Sequence, residues 1–122
     1  MRKYLEDIGV TDTPESWGKN DERQAEWAKE RETYGFDERE TWSMDFTFYL
    51  WLYEHLSMYL DSAAVDLDYH KFKYKKKKYT QKQMIYMCIQ YLEEYFNNNN
   101  TSTDTTCEIG KIWVKILPCM WW

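Results

Sequence analysis

Residues 42–60, WSMDFTFYLWLYEHLSMYL, decide the fold. On a helix, at about 100° per residue, Ser43, Thr47, Glu54, Ser57 and Asp61 fall in one narrow arc, and Leu50 is its only apolar member. Met44, Phe48, Trp51 and Met58 line one flank; Phe46, Tyr49, Tyr53 and Leu60 line the other. A surface helix needs a single apolar stripe, so this pattern predicts a central core helix covered by neighbours on several sides. The 17 residues from Met44 to Leu60 include Asp45, Glu54 and His55, a poor composition for a membrane span.

Asp45 lies opposite the polar arc, where the flanking side chains are expected to bury it. An ionised carboxylate there needs hydrogen bonds or a charge partner. The first turn of a helix supplies both free N–H groups and a favourable dipole. A carboxylate of raised pKa at a cleft is the functional alternative. The sequence leaves the role of Asp45 open. His55, on an apolar flank, reads as a core histidine with a satisfied hydrogen bond.

Working outward, 122 residues make one domain that buries roughly two-thirds of its unfolded surface. Aromatic content of 19%, with seven Trp and eleven Tyr, supplies large side chains for a small core and leaves some for binding surfaces. The net charge of −5 argues against general nucleic-acid binding, but its distribution is uneven. Residues 1–40 hold 12 acids and 7 bases, whereas residues 69–82 hold seven lysines and no acid. Cys88, Cys107 and Cys119 form no CxxC pair, disulfide framework or zinc pattern, so a reducing cytoplasm is expected. The opening MRKYLEDIGV lacks the apolar core of a signal peptide, which also points to the cytoplasm.

Residues 1–19 read as a short helix and a loop, with Thr13 and Pro14 opening one helical turn that stops at Gly18. Asn20 or Asp21 caps an acidic surface helix over 20–35, with Trp27 and Tyr34 as its buried edge and Gly35 as its left-handed stop. Asp37 caps the approach to the core helix, placed over 37–61 with a bend near Trp42 and Ser43. Alternation over 66–80 predicts a small basic β-hairpin, 71–74 against 78–80. Its turn, Lys75 to Lys77, has no Gly or Asn, so the turn geometry stays open.

Thr80 and Gln83 form a capping-box pattern for an amphipathic helix over 81–96, whose apolar face is Met84, Ile85, Cys88, Ile89, Leu92, Tyr95 and Phe96. Four asparagines and a Ser/Thr run make a polar connection. The last segment, CEIGKIWVKILPCMWW, contains β-branched residues that suit a strand. Glu108, Lys111 and Lys115 nonetheless fall on one helical face, so a helix is expected over 105–117, with Trp121 and Trp122 folding back. The fold class expected is therefore mainly α: a compact helical bundle around one central apolar helix, with one small hairpin.

Few residues carry chemistry. Asp66, Asp68 and His70 alternate as strand neighbours that could face one cation, but a fourth ligand is missing, and no metal or other cofactor is expected. No motif ties His55 or His70 to a cysteine, and four scattered glycines cannot cradle a phosphate, so no catalytic residues are assigned and no enzyme is expected. Two surfaces remain. Glu22, Glu26, Glu30 and Glu32 on the acidic helix suit a basic protein partner. Lys73, Lys75, Lys76, Lys77 and Lys78, interleaved with Tyr74 and Tyr79, suit a nucleotide or single-stranded nucleic acid.

The run YGFDERETWSMDFTFYLWLYEHL, then DLDYHKFKYKKKKYTQKQM, then ILPCMWW, resembles a largely uncharacterised group of small proteins encoded by phages and prophages of Gram-positive gut bacteria. The similarity runs from YLEDIGV to the final tryptophans, and the Trp-x-x-Asp start of the core helix, Trp42 and Asp45, is its most recognisable part. Related members carry Gly in the hairpin turn, where this chain has only lysines. The resemblance implies a cytoplasmic accessory protein that binds a host protein, including as an inhibitor of antiviral defence. It assigns no site residue.

Overall fold

The computed structural model describes residues 2–97 and 103–121. The fold is mainly α with one two-stranded antiparallel sheet. In order come α1 (Lys3–Glu6), a 3-10 turn (Pro14–Ser16), α2 (Gln24–Tyr34), a second 3-10 turn (Glu38–Thr41) and α3 (Met44–Ser62). They are followed by β1 (Lys71–Tyr74), β2 (Lys77–Thr80), α4 (Gln81–Asn97), α5 (Thr103–Ile116) and a last 3-10 turn (Leu117–Cys119). The chain forms two compact units, Met1–Glu54 and His55–Trp122.

In the first unit, Ser16 Oγ donates to the Thr13 carbonyl at 2.7 Å and accepts from Thr13 N, so the Thr-Pro turn closes where the sequence places it. Gly18 follows at φ +63, and a Cβ there would lie 2.9 Å from Cη2 of Trp27, so backbone sign and indole proximity both require glycine. Helix α2 starts two residues later than the Asp21 cap suggests, because the Asp21 carboxylate holds Arg23 in a turn of its own. Gly35, at φ +86, ends the helix and donates to the Arg31 carbonyl. Tyr34 is not a buried edge: it is 69% exposed, and Trp27 alone is buried.

The core helix is shorter than expected. Asp37 caps a 3-10 turn instead, accepting from Arg39 N, and regular helix begins only at Met44. Along α3, Leu50, Leu52, Tyr53 and Leu56 are buried, but Met44, Phe48, Trp51 and Met58 are all exposed. The expectation that both flanks are covered is therefore wrong for this flank. The polar arc is covered in part instead: Leu50 is fully buried and Glu54 is paired with Arg2 at 2.9 Å, while Asp61 at its end stays exposed. A paired acid removes the main cost of covering that side. His55 is exposed as well, not a core histidine.

In the second unit, Lys71 pairs with Thr80, Phe72 with Tyr79, Lys73 with Lys78 and Tyr74 with Lys77. That register leaves Lys75 and Lys76 as a two-residue turn at φ 49 and 66. Consecutive positive φ values are the signature of a type I′ hairpin turn, normally occupied by Asn-Gly. Here lysine adopts them, at a cost of about 1–2 kcal/mol per residue. Lys76→Gly is therefore expected to stabilise the protein by about 1 kcal/mol, a rise in Tm of about 4 °C on thermal unfolding; an unchanged or lower Tm would show that the turn is unstrained.

The capping box forms as the sequence predicts: Gln83 N donates to Thr80 Oγ1 at 3.1 Å, and Thr80 N donates to Gln83 Oε1 at 2.9 Å. Helix α4 buries Met84, Ile85, Cys88 and Leu92, and α5 buries Ile109, Ile112 and Ile116. The final segment is helical. Gln81, fully buried, donates from Nε2 to the Cys119 carbonyl at 3.1 Å, and the Tyr59 hydroxyl donates to the Trp121 carbonyl at 2.8 Å. The backbone after α5 is tied down in this way, yet the Trp121 side chain is 65% exposed and does not fold back as expected; Trp122 lies outside the described residues.

Candidate binding surfaces

The first surface begins with two copies of one local device. Asp21-Glu22-Arg23 and Asp37-Glu38-Arg39 adopt the same geometry. In each, the Asp carboxylate accepts from the Arg backbone N–H (2.8 and 2.9 Å) and from Nε (3.0 Å in both), while the second oxygen takes Nη2 (2.9 and 2.8 Å). The clamp fixes each guanidinium, and both lie over the Trp27 ring, Arg23 at 5.0 Å and Arg39 at 4.5 Å. Arg39 is buried and donates further to the carbonyls of Glu15 and Trp17. The Trp27 indole N–H donates to Glu38 at 2.8 Å.

Two of these carboxylates are held well below the usual range, at about 2 each. For Asp21 the hydrogen bonds from Arg23 are the main cause; for Asp37 it is the bond from Arg39, followed by that from Arg31.

This frame holds Trp42, which meets Trp27 edge-on at 5.6 Å and stacks on Trp17 at 6.1 Å with a 5° interplanar angle. Trp42 is nevertheless 46% exposed, and α3 continues the apolar surface with Met44, Phe48 and Trp51. These three recur at i, i+4 and i+7, one face of the helix. Phe48 and Trp51 stack on each other at 6.0 Å and 16°. The stripe is visible in the sequence as a flank of the helix, but there it reads as core.

Asp45 is exposed rather than buried. The Phe46 N–H and the Ser43 hydroxyl, the latter at 2.9 Å, bond its carboxylate and hold its pKa low. It is a first-turn acid, without the raised pKa that an internal site would give it. Of the four glutamates on the acidic segment, Glu22 precedes α2 and Glu30 accepts from Glu38 N at 3.0 Å. Glu26 and Glu32 are exposed but six residues apart, about 120° around the helix, so the four do not make one face. What the unit does have is overall charge: residues 1–54 contain 14 acids and 7 bases.

The second surface is the hairpin. Its register places Lys71, Lys73 and Lys78 on one face and Phe72, Tyr74 and Tyr79 on the other. Tyr74 is buried and Tyr79 half-buried, so these two are not the free stacking partners that the sequence suggests. Lys75 reaches Glu108 at 3.2 Å, whereas Lys73, Lys76, Lys77 and Lys78 have no acidic partner among the described residues. At the open end of the hairpin lies a cleft of about 310 Å³, lined by Val65, Asp66, Tyr69, His70, Gln81, Cys119 and Trp121.

Burial pushes the Cys88 thiol up to about 12, far from a reactive thiolate. Strand β1 starts only after His70, and Asp66 Oδ1 accepts from Asp68 N at 2.9 Å in a tight turn, so the alternation that would align Asp66, Asp68 and His70 does not arise. Among the described residues no group of three or more His, Cys, Asp or Glu side chains could hold a metal ion, and no helix is long and apolar enough to cross a membrane. No family model, curated protein or solved structure matches this chain.

Proposed function

We propose that the protein acts by binding, not catalysis: a phage accessory protein that engages a protein of its bacterial host and inhibits antiviral defence. The observation that carries the binding reading is the exposed stripe of Trp42, Met44, Phe48 and Trp51. Contiguous exposed apolar surface marks interaction sites on soluble proteins, and aromatic and methionine side chains are enriched at interface centres. The rings are already stacked, so little side-chain freedom is lost on binding. The host setting comes from the sequence resemblance. The acidic surround selects a partner whose apolar groove is rimmed with Lys or Arg, and it speeds encounter at low salt.

Affinity purification from the host cell tests this with Phe48→Ser/Trp51→Ser beside the parent. Both side chains are 40% or more exposed, so the fold should survive. The parent should retain a host protein in stoichiometric amount, and the double variant should bind it at least ~30-fold more weakly, as loss of an interface anchor implies. Equal recovery by both, or bound nucleotide with no protein, would sink the reading.

A further inference from the structure

We infer that the hairpin and the cleft at its open end together form a binding site for single-stranded nucleic acid, with phosphates on the lysine face and a base in the cleft. The site lies wholly in the second unit and does not depend on the stripe of the first.

Three observations point there. Lys73 and Lys78 sit directly opposite each other on the open face, a like-charge pair that destabilises a sheet, and no acid among the described residues relieves it. Lys76, without an acidic partner among the described residues, occupies a backbone conformation in which glycine and asparagine cost less, whereas Lys75 beside it is paired with Glu108. The hairpin thus keeps lysine at positions where it weakens the fold, which is understandable if the charge itself has a ligand. Outside the first unit the balance also reverses: residues 55–122 contain 9 bases and 7 acids, in a chain whose net charge is −5.

The cleft adds what a plain polyanion site lacks. Tyr69 (75% exposed) and Trp121 (65% exposed) are two aromatic side chains on its walls, and His70 meets Tyr69 edge-on at 5.1 Å. The hydrogen-bonding side chains of Asp66 and His70 also line it, and the Gln81 amide that lines it is already committed to the Cys119 carbonyl. Its volume is at the small end of ligand sites, suited to one base rather than a whole cofactor. Successive same-face lysines, Lys71 and Lys73, stand about 6.6 Å apart along the strand that starts beside the cleft. A backbone running along them can therefore present a base to the Tyr69 and Trp121 walls. A duplex keeps its bases stacked and paired, and a lipid surface has none, so single strands fit best.

The test is fluorescence anisotropy of the full-length protein with a labelled oligothymidylate of roughly 15 nucleotides, between about 50 and 200 mM salt. Single-stranded binding should fall with salt at a logarithmic slope near −3, for about four phosphates on Lys71, Lys73, Lys76 and Lys78. Lys73→Ser/Lys78→Ser should reduce that slope by about 1.4, whereas Tyr69→Ala should weaken binding about tenfold and leave the slope alone. These side chains are exposed, and unchanged circular dichroism would confirm that each variant folds. Absence of binding at the lowest salt, equal affinity for duplex, or parental behaviour in either variant would overturn the proposal. So would binding confined to anionic lipid vesicles.

Discussion

Arg39→Ala is expected to cost about 3 kcal/mol or more of stability, seen in urea as a fall in midpoint of roughly 1.5 M. Asp37 and Arg39 are each at least 96% buried and bond each other through two parallel contacts. Removing one partner of such a pair leaves a desolvated charge behind, and here it also orphans the carbonyls of Glu15 and Trp17. Arg31, 2.7 Å from Asp37, limits the loss without repairing it. Arg39→Lys should rescue little, because an ammonium group cannot reproduce the forked donors or lie flat on Trp27. Arg23→Ala removes the same clamp from a half-exposed site and should cost far less. The pair also sets the acid limb. The pKa of Asp37 is depressed from 3.8 to about 2, so the ionised form contributes stability that is complete above pH 4 and lost as pH falls towards 2. In Arg39→Ala that acid sensitivity should flatten. A loss under 1 kcal/mol, with an unchanged acid limb, would mean the clamp is solvated.

Trp27→Ala should be comparably severe, at about 3–5 kcal/mol, since the ring is fully buried and the vacated space cannot refill from the rigid Arg-Trp frame. Trp27→Phe separates the contributions: it keeps apolar bulk and loses the 2.8 Å bond from the indole to Glu38, a loss of about 1–2 kcal/mol. With Arg39→Ala the two losses should not add. The guanidinium is stacked 4.5 Å from the ring, so each substitution removes part of what the other would, and a double-mutant cycle should give a coupling of about 1 kcal/mol. Strict additivity would show that the stacking is incidental.

Local signals carried most of the fold. The Thr80–Gln83 capping box, the Gly35 stop and the apolar face of α4 follow from residues near in sequence and are where the pattern puts them; the hairpin is there too, but its second strand starts at Lys77, one residue early, and its turn is Lys75 and Lys76 instead of Lys75 to Lys77. Burial was harder to read. Met44, Phe48 and Trp51 look like core because apolar side chains usually are, yet which flank of α3 is covered depends on segments far away in the chain. Arg39 shows the reverse error, since arginine in an acidic stretch reads as surface. The signal for it was present as the repeated Asp-Glu-Arg at 21–23 and 37–39, each followed by a tryptophan, Trp27 and Trp42. Nothing in that repeat, however, reveals that both guanidinium groups converge on Trp27. The cleft was invisible for a similar reason, because Tyr69 and Trp121 are 52 positions apart in sequence.

Native mass spectrometry of the protein purified from its own host decides whether the exposed aromatic stripe carries a partner. A discrete complex with one host protein in simple stoichiometry is expected, absent when Phe48 and Trp51 are both serine. A spectrum containing only the free chain, or the chain with a nucleotide and no protein, would contradict it.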